Sequence, residues 1–519
     1  MERLLTEYRL GIDVGGTNTD AVILDNATLE VISAVKSPTT KQTSDGVLIS
    51  IDQVLQAAQI DPASIRFAMI GTTHATNAIL ERRDLGRVGV VRVAAPATTA
   101  VPPLEGWPDD LKSAIGAHSA IVGGGFEVDG RAIADIDEDE IRAACRRMRG
   151  SVDAVAIVGV FSPVDVSQEQ RAGEIVVEEL GVPVSLSAEI GSIGLLERES
   201  ATILNASLMQ TLCSMADGLR RALSERGISA HMFFGQNDGT LMEVDYALRY
   251  PVLTIGGGPT NSIRGAAHLS GLRDGIVVDV GGTTTDIGML IDGFPRQSSE
   301  PFTLGGVRTN FRMPDILSIA LGGGTVVREA SDGIRLGPDS VGYRLPQESL
   351  SFGGDTLTAT DVALAAGLAT IDSAVDVALS ADLVTSSRRA IREVLEDAID
   401  QMKLSAAAVP VILVGGGGII VGDELHGVSE IVKPLNLGAA NAVGVALGDI
   451  AGEVEKIVAG GSSRESMRAV ASAEAVERAV EAGADPETVV TTSIEELPVS
   501  YMEGESVRIV ARAVGRLRA

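Results

Sequence analysis

DVGGTNTD at residues 13–20 and DVGGTTTD at residues 279–286 are one octamer written twice, differing only at Asn18 and Thr284. Each copy follows an apolar run (10–12 and 276–278) and precedes another (21–24 and 287–291). Apolar strand, Asp-x-Gly-Gly-Thr turn, apolar strand is the pattern of a β-hairpin. Two such hairpins so far apart predict two related domains facing each other, not a short-period solenoid.

Outward from the hairpins the chain alternates strand and helix patterns. Ser44 or Asp45 is placed to cap a helix carrying Val47, Leu48, Ile51, Val54 and Leu55 on one face. A strand over 67–70, a turn at 71–73 and a helix over 74–83 follow, then strands at 87–93, 154–161 and 182–186 and helices at 137–149 and 167–180. This alternation predicts an α/β fold with a mostly parallel or mixed sheet. Pro96, Pro102, Pro103 and Pro108 interrupt it, so 94–130 reads as an insertion or lid. Beyond it come a long helix over 195–226, a strand at 251–255, a glycine loop at 256–258 and a helix over 261–269. After the second octamer the expected helices are 359–370, 372–379, 386–405 and 439–458, with a buried strand at 411–414. The last residues read as a small α+β appendage, a helix over 465–482 and alternating runs at 488–493 and 506–514. The expected domains are 1–190, 191–457 and 458–519.

Composition narrows the function. The 519 residues carry 42 Lys and Arg against 70 Asp and Glu, a net charge of −28. Such a surface repels phosphate backbones and anionic lipid, so nucleic-acid and membrane partners are not expected. Aromatic residues are only 3%, too few for base-stacking platforms, whereas 59 glycines supply bare backbone. Cys145 and Cys213 have no Cys or His at metal spacing, which disfavours zinc, iron–sulfur and disulfide frameworks. The start, MERLLTEYR, has no apolar signal core, and the uncharged stretch 404–422 is broken by Pro410 and four glycines. A cytoplasmic protein is expected.

A Gly-Gly-Thr turn offers backbone N–H groups that no side chain screens, and two such turns can grip consecutive phosphates of one nucleotide. Asp13 and Asp279 stand where strands enter the turns, a place suited to Mg²⁺ held largely through water. A single copy would equally be an ordinary capped turn; duplication of the whole octamer weighs against that. The run Gly415, Gly416, Gly417 and Gly418 after the buried strand would let the adenine and ribose of ATP lie on bare backbone, or is a plain strand-to-helix turn.

Six stretches then carry a family resemblance: GIDVGGTNTDAVILD (11–25), GTTHATNAILER (71–82), LLERESATILNASL (195–208), VVDVGGTTTDIG (277–288), ALGGGT (320–325) and FGGDTLTATDVALAAG (352–367). In order over about residues 9–450, they make the chain resemble the actin, sugar-kinase and Hsp70 ATPase superfamily, and within it the A-type members of the hydantoinase/oxoprolinase family. The resemblance implies two facing ribonuclease-H-like (actin-like ATPase) domains with an interdomain nucleotide cleft. It also implies ATP- and Mg²⁺-dependent ring opening of cyclic amides such as hydantoins and 5-oxoproline, by phosphorylation of the carbonyl oxygen and then water attack. Gly15, Gly16, Thr17, Asn18 and Thr19 match the first phosphate turn, and Gly281, Gly282, Thr283, Thr284 and Thr285 the second. Thr72, Thr73, His74 and Asn77 form the expected substrate-side loop, with His74 either a general base or a histidine tied into a helix start. The loop 256–267 is a further candidate to reach the nucleotide or substrate, with Arg264 as a charge partner. Asp20 and Asp286 are expected to fix their turns by accepting backbone hydrogens; Arg82, Arg83 and Arg198 read as solvated helix charges, and His118, His231, His268 and His426 are isolated.

Usual members of the family are longer, so the short tail marks a short branch, and a separately encoded partner subunit is expected; a homo-oligomer is also compatible. The competing classes are a non-catalytic or partner-remodelling actin-like ATPase and a small-molecule kinase. A zinc-bearing sugar kinase and a cluster-bearing activase both need cysteines that this chain does not have.

Overall fold

In a computed structural model of the chain, the described residues are 6–15, 18–38, 43–116, 118–191, 194–298, 301–310, 313–331, 333–458, 463–498 and 507–518. The first octamer joins β1 (Tyr8–Val14) to β2 (Asn18–Asp25), and β3 (Val31–Pro38) extends the hairpin. Helix α1 (Thr43–Ala58) leads to β4 (Ile65–Thr72), which lies parallel to β1, and α2 (His74–Glu81) follows at once. A 31-residue helix, α3 (Leu195–Glu225), returns the chain to β5 (His231–Gly235) and β6 (Leu241–Glu243). Helix α4 (Gly257–Ser270) precedes the second hairpin, β7 (Gly275–Val280) and β8 (Thr285–Ile291). Helix α5 (Ala381–Met402), β9 (Val409–Val414), α6 (Ala440–Ala446) and β10 (Ile450–Val458) complete this part, and α7 (Arg464–Glu481), β11 (Val490–Pro498) and β12 (Val507–Gly515) form the tail.

Two sheets face each other across a helical layer. The nine-stranded sheet runs β11-β12-β10-β6-β5-β4-β1-β2-β3. The six-stranded sheet runs from Phe294–Pro295 through β8, β7 and β9 to Val428–Val432, with Ile316–Ile319 pairing β8 on the side. Side chains alternate across a strand, so each sheet has two faces to bury. Leu10, Ile12, Ala21 and Ile23 pack beneath α1 and α3, while Val22 and Leu24 turn the other way onto Ala442, Val443 and Ala446 of α6. In the second sheet Val277, Leu290 and Ile412 pack on Ile263 and Ala266 of α4, and Ile276, Val278 and Ile287 face α5. The layer of α4 and α6 therefore lies between the sheets. This is the mixed α/β architecture of two facing sheets that the repeated octamer predicts and that the family resemblance implies.

Several local expectations are corrected. The stretch 94–130 is not a lid: it contains a helix (Asp109–Ile115) and a strand (His118–Gly123), and Leu104, Trp107 and Leu111 are buried. That strand joins Val88–Ala95, Ala154–Gly159 and Val184–Leu186 in a separate four-stranded parallel sheet. The expected strand at 251–255 is a 3₁₀ turn, Pro251–Thr254, because Pro251 at its start fixes φ in the helical range. The expected helix over 372–379 is absent; α5 begins instead where Ser380 caps it by accepting from the Leu383 N–H. The expected helix over 439–458 stops at Ala446, and its second half is β10, which slots between β6 and β12. The tail's helix and strands are present, and they lengthen the first sheet. That sheet thus draws strands from both sides of residues 190 and 457. No helix among the described residues is long and apolar enough to cross a membrane.

Candidate active site

The two octamers fold alike. The Gly15 N–H donates to the Asn18 carbonyl at 3.0 Å, and the Gly281 N–H to the Thr284 carbonyl at 2.9 Å. Asp13 stands opposite Asp20 and Asp279 opposite Asp286. By parity along the strands, Asp13 shares the face of Gly11, which abuts Ala442 of α6, and Asp279 that of Val277, which packs on α4. Both carboxylates therefore point into the layer between the sheets. Gly16 and Thr17 lie outside the described residues.

The turn hydroxyls divide. Thr283 and Thr284 are exposed, but Thr19 and Thr285 are fully buried on the face away from the aspartates, and the Thr285 hydroxyl donates to the Leu321 carbonyl. What fixes the second turn is the glycine run of 322–324: the Gly323 and Gly324 N–H groups donate to the Gly281 and Gly282 carbonyls at 3.0 and 2.7 Å. Gly415 has φ +84°, and a Cβ on it would meet the Asp279 carboxylate; a Cβ on Gly417 would meet the Gly281 carbonyl. The run 415–417 thus lies directly against the second turn, with Gly416 exposed.

The loop expected on the substrate side lies beside the strand that enters the first turn. Gly71 pairs with Asp13 and Thr72 with Val14. A Cβ on Gly71 would lie 2.5 Å from Asp13 Oδ1 and 2.6 Å from Asn261 Nδ2, so only glycine fits there. Thr72 Oγ1 accepts from the His74 N–H, and Asn77 Nδ2 donates to Thr73 Oγ1. The His74 side chain opens on a cavity of about 640 Å³ shared with Val47 and Leu48 of α1 and Met215 and Leu219 of α3. Those helices cover the opposite face of the sheet from Asp13, so the structure does not bring His74 to the carboxylates.

Burial raises the pKa of Asp13 to about 7, helped by the nearby Asp20 carboxylate and opposed by the Lys36 ammonium. Asp279 rises to about 6, again chiefly through burial. Asn261 and Ser262 stand close enough to temper the rise at Asp13 and Asp279 respectively, without reaching full hydrogen-bond geometry. Asp13 is 4% exposed, and its Oδ1, both polar atoms of Asn261 and the Ser262 hydroxyl are buried without a hydrogen-bond partner among the described residues. The oxygens of this cluster suit a hard cation, and with the Asn261 amide NH₂ beside them they equally suit ordered water. No three His, Cys, Asp or Glu side chains converge among the described residues, so one or two carboxylates with water is the coordination these residues fit.

Four expectations change. Asp20 is paired with the Lys36 ammonium, at 2.5 and 2.6 Å to its two oxygens, rather than with backbone hydrogens, and Asp286 accepts from Ser318. Arg264 donates to the Gly239 carbonyl and stacks over Phe294, away from the carboxylates. Arg82 ties α2 to the carbonyl of Gly305, leaving Arg83 exposed. Arg198 is 2% exposed, bonded to Ser187 and the Gly159 carbonyl, beside a buried Arg92–Glu199 pair. Sequence reading singled out the segment 256–267 but named only Arg264 in it, not Asn261 or Ser262, and it missed Lys36; the apolar neighbours that bury a polar residue come from distant segments.

The fold and site define a class: two facing sheets, each turning the aspartate at the entry to its hairpin, Asp13 buried and Asp279 half-buried, toward the helical layer between them. Within that class, residues 9–180 match the hydantoinase/oxoprolinase N-terminal region and residues 198–379 the hydantoinase/oxoprolinase domain. The chain belongs to the hydantoinase/oxoprolinase family. It is 27% identical over 489 residues to the alpha subunit of caprolactamase from Pseudomonas jessenii, covering 86% of this chain and 67% of that one. It is 26% identical over 410 residues to 5-oxoprolinase of Saccharomyces cerevisiae, covering 69% of this chain and 31% of that one. The crystal structure of the ATP-dependent caprolactamase from Pseudomonas jessenii superposes with a TM-score of 0.78 at 20% identity, over 98% of this chain and 88% of that one, a likeness of fold.

Proposed function

We propose that this chain is the ATP-using subunit of an enzyme that activates a cyclic amide, in the cytoplasm and with a separately encoded partner. The observation that carries the reading is the register of Asp13 beside the 71–77 loop, with Asp279 on the facing sheet. A triphosphate gripped by both turns would then lie next to a loop able to hold a second substrate. Asp13 and Asp279 would hold Mg²⁺, which supplies charge neutralisation for phosphoryl transfer. The backbone of 15–18 and 281–284 binds phosphates, the run 415–417 receives the nucleoside, and Thr72, Thr73 and Asn77 orient the amide. The lactam carbonyl oxygen attacks the terminal phosphorus as the bond to ADP breaks. Water then adds at the activated carbon, the ring nitrogen leaves as the amine, and a second water releases phosphate from the acyl phosphate.

A lactam resists hydrolysis because its nitrogen donates into the carbonyl; phosphorylation removes that protection, leaving the protein mainly positioning and electrostatic work. We further propose that 1–190, 191–457 and 458–519 are functional divisions of the sequence that share one sheet, not separately folded units. The test is phosphate release from MgATP in the presence of caprolactam, 5-oxoproline and hydantoin, with ring opening followed in the same samples. Stimulation by one cyclic amide is expected. Stimulation only by a protein, with no amide effect, would make the chain a partner-remodelling ATPase.

A further inference from the structure

The two hairpins are near-copies, so a difference in what stands beside them is informative. In the first sheet Asp13, Asp20 and Lys36 are direct neighbours on β1, β2 and β3. In the second, Asp279 and Asp286 are direct neighbours on β7 and β8, and the third rung is Ser318. Directly opposed residues share a face of the sheet, so both ladders run across the side that faces the helical layer between the sheets. One ladder ends on a cation and the other on a neutral hydroxyl.

Lys36 stays open to solvent. Its ammonium holds Asp20, yet its side chain keeps 38% exposure, unlike the fully enclosed Arg92. A Cβ on Gly438, from the second half of the molecule, would lie 3.9 Å from the Lys36 Cε, so the side chain stands at the junction of the halves. The second hairpin is already occupied on one side by the glycine run 415–417, the nucleoside end of the site proposed above. The first hairpin adjoins the 71–77 loop.

We propose that Lys36 is a catalytic residue: its ammonium leaves Asp20 for the non-bridging oxygens of the transferring phosphoryl group, which sits on the first hairpin with the leaving diphosphate on the second. This rests on the ATP-dependent reading. Four aspartates at the ends of the two hairpins disfavour an approaching polyanion, and a compact ammonium with three donors is suited to moving with the charge. As the carbonyl oxygen–phosphorus bond forms, the bond to the β-phosphate oxygen breaks and its electron pair leaves with ADP. Lys36 keeps its proton throughout.

The experiment compares wild type, K36M and K36R, each measured for MgADP and MgATP affinity by calorimetry and for single-turnover phosphate release. In wild type MgATP should bind more tightly than MgADP. K36M should retain MgADP binding, lose most of the preference for MgATP, and release phosphate about 10²–10³-fold more slowly; K36R should recover part of both. Equal loss of MgADP and MgATP binding in K36M would make Lys36 merely structural and overturn the proposal. A K36M variant with wild-type preference and rate would overturn it while leaving the ATP reading intact. Failure of the wild type to bind either nucleotide would overturn the ATP reading and this inference with it.

Discussion

Asp13 carries a charge in a place that resists charge. Burial is the main reason its pKa rises from the ordinary 3.8 to about 7, and Asp279 follows to about 6. Between pH 4 and 7 the native state therefore holds protons that the unfolded chain has lost. The stabilisation this gives is full below the unfolded value and is lost as pH rises through about 7, so ligand-free stability should fall across that window and level off above it. Asp13→Asn removes the charge and keeps the shape. Its thermal midpoint without nucleotide should exceed that of wild type at pH 8, the difference shrinking toward pH 4, and MgATP should raise it less than wild type. Parallel midpoint curves from pH 4 to 8 would show that ionisation of Asp13 is not what the fold resists. Asp13 and the turn glycines are legible in the sequence because an octamer repeated whole is hard to explain by turn chemistry alone. Asn261 is not: an asparagine in a helix is unexceptional until Gly71 and Asp13, both far along the chain, are seen to enclose it.

Helices α4 and α6 cross at backbone contact. A Cβ on Gly265 would lie 1.9 Å from the Ala440 carbonyl, and one on Gly444 would lie 1.8 Å from the Asn261 carbonyl. Small residues let two sheets share one helical layer and bring the first turns of α4, with Asn261 and Ser262, to the carboxylates. Gly444→Ala should therefore force the helices apart at a cost of about 1–3 kcal/mol or more from overpacking. It should also weaken MgATP binding, although residue 444 is not proposed to touch nucleotide. A midpoint within one degree of wild type, with unchanged affinity, would mean the crossing is not close-packed as described. Gly444 belongs to the stretch where periodicity misled: 439–448 is apolar but for Asn441, and beyond Asp449 apolar residues recur between Glu453, Glu455 and Lys456, a pattern that suits a helix or a strand. The chain resolves the ambiguity at Gly448, whose hydrogen fits against Leu241 where a Cβ would collide, and the remainder becomes β10.

At the scale of the molecule, the tail continues the sheet that holds the first hairpin. Composition and spacing reveal its helix and strands but not their destination, since sheet order depends on pairing partners hundreds of residues away. β12 pairs β10 along nine residues, from Ile450–Gly515 to Val458–Val507. Ala471, Ala475 and Ala479 of α7 and Ile509, Ala511 and Ala513 of β12 are fully buried, in one continuous core with Leu10 and Ile12 of β1. Deleting residues 463–519 would expose that apolar surface and leave β10 as a long unpaired edge, a template for intermolecular pairing. The shortened chain should bind an apolar dye, aggregate at concentrations where the full chain stays monodisperse, and unfold at a lower temperature. The first hairpin lies several strands away from β10, so a loss of MgATP binding in any soluble fraction would show that the sheet transmits strain to the site. A soluble truncation with the full chain's midpoint would instead make the tail an independent unit resting against a sheet that is complete without it.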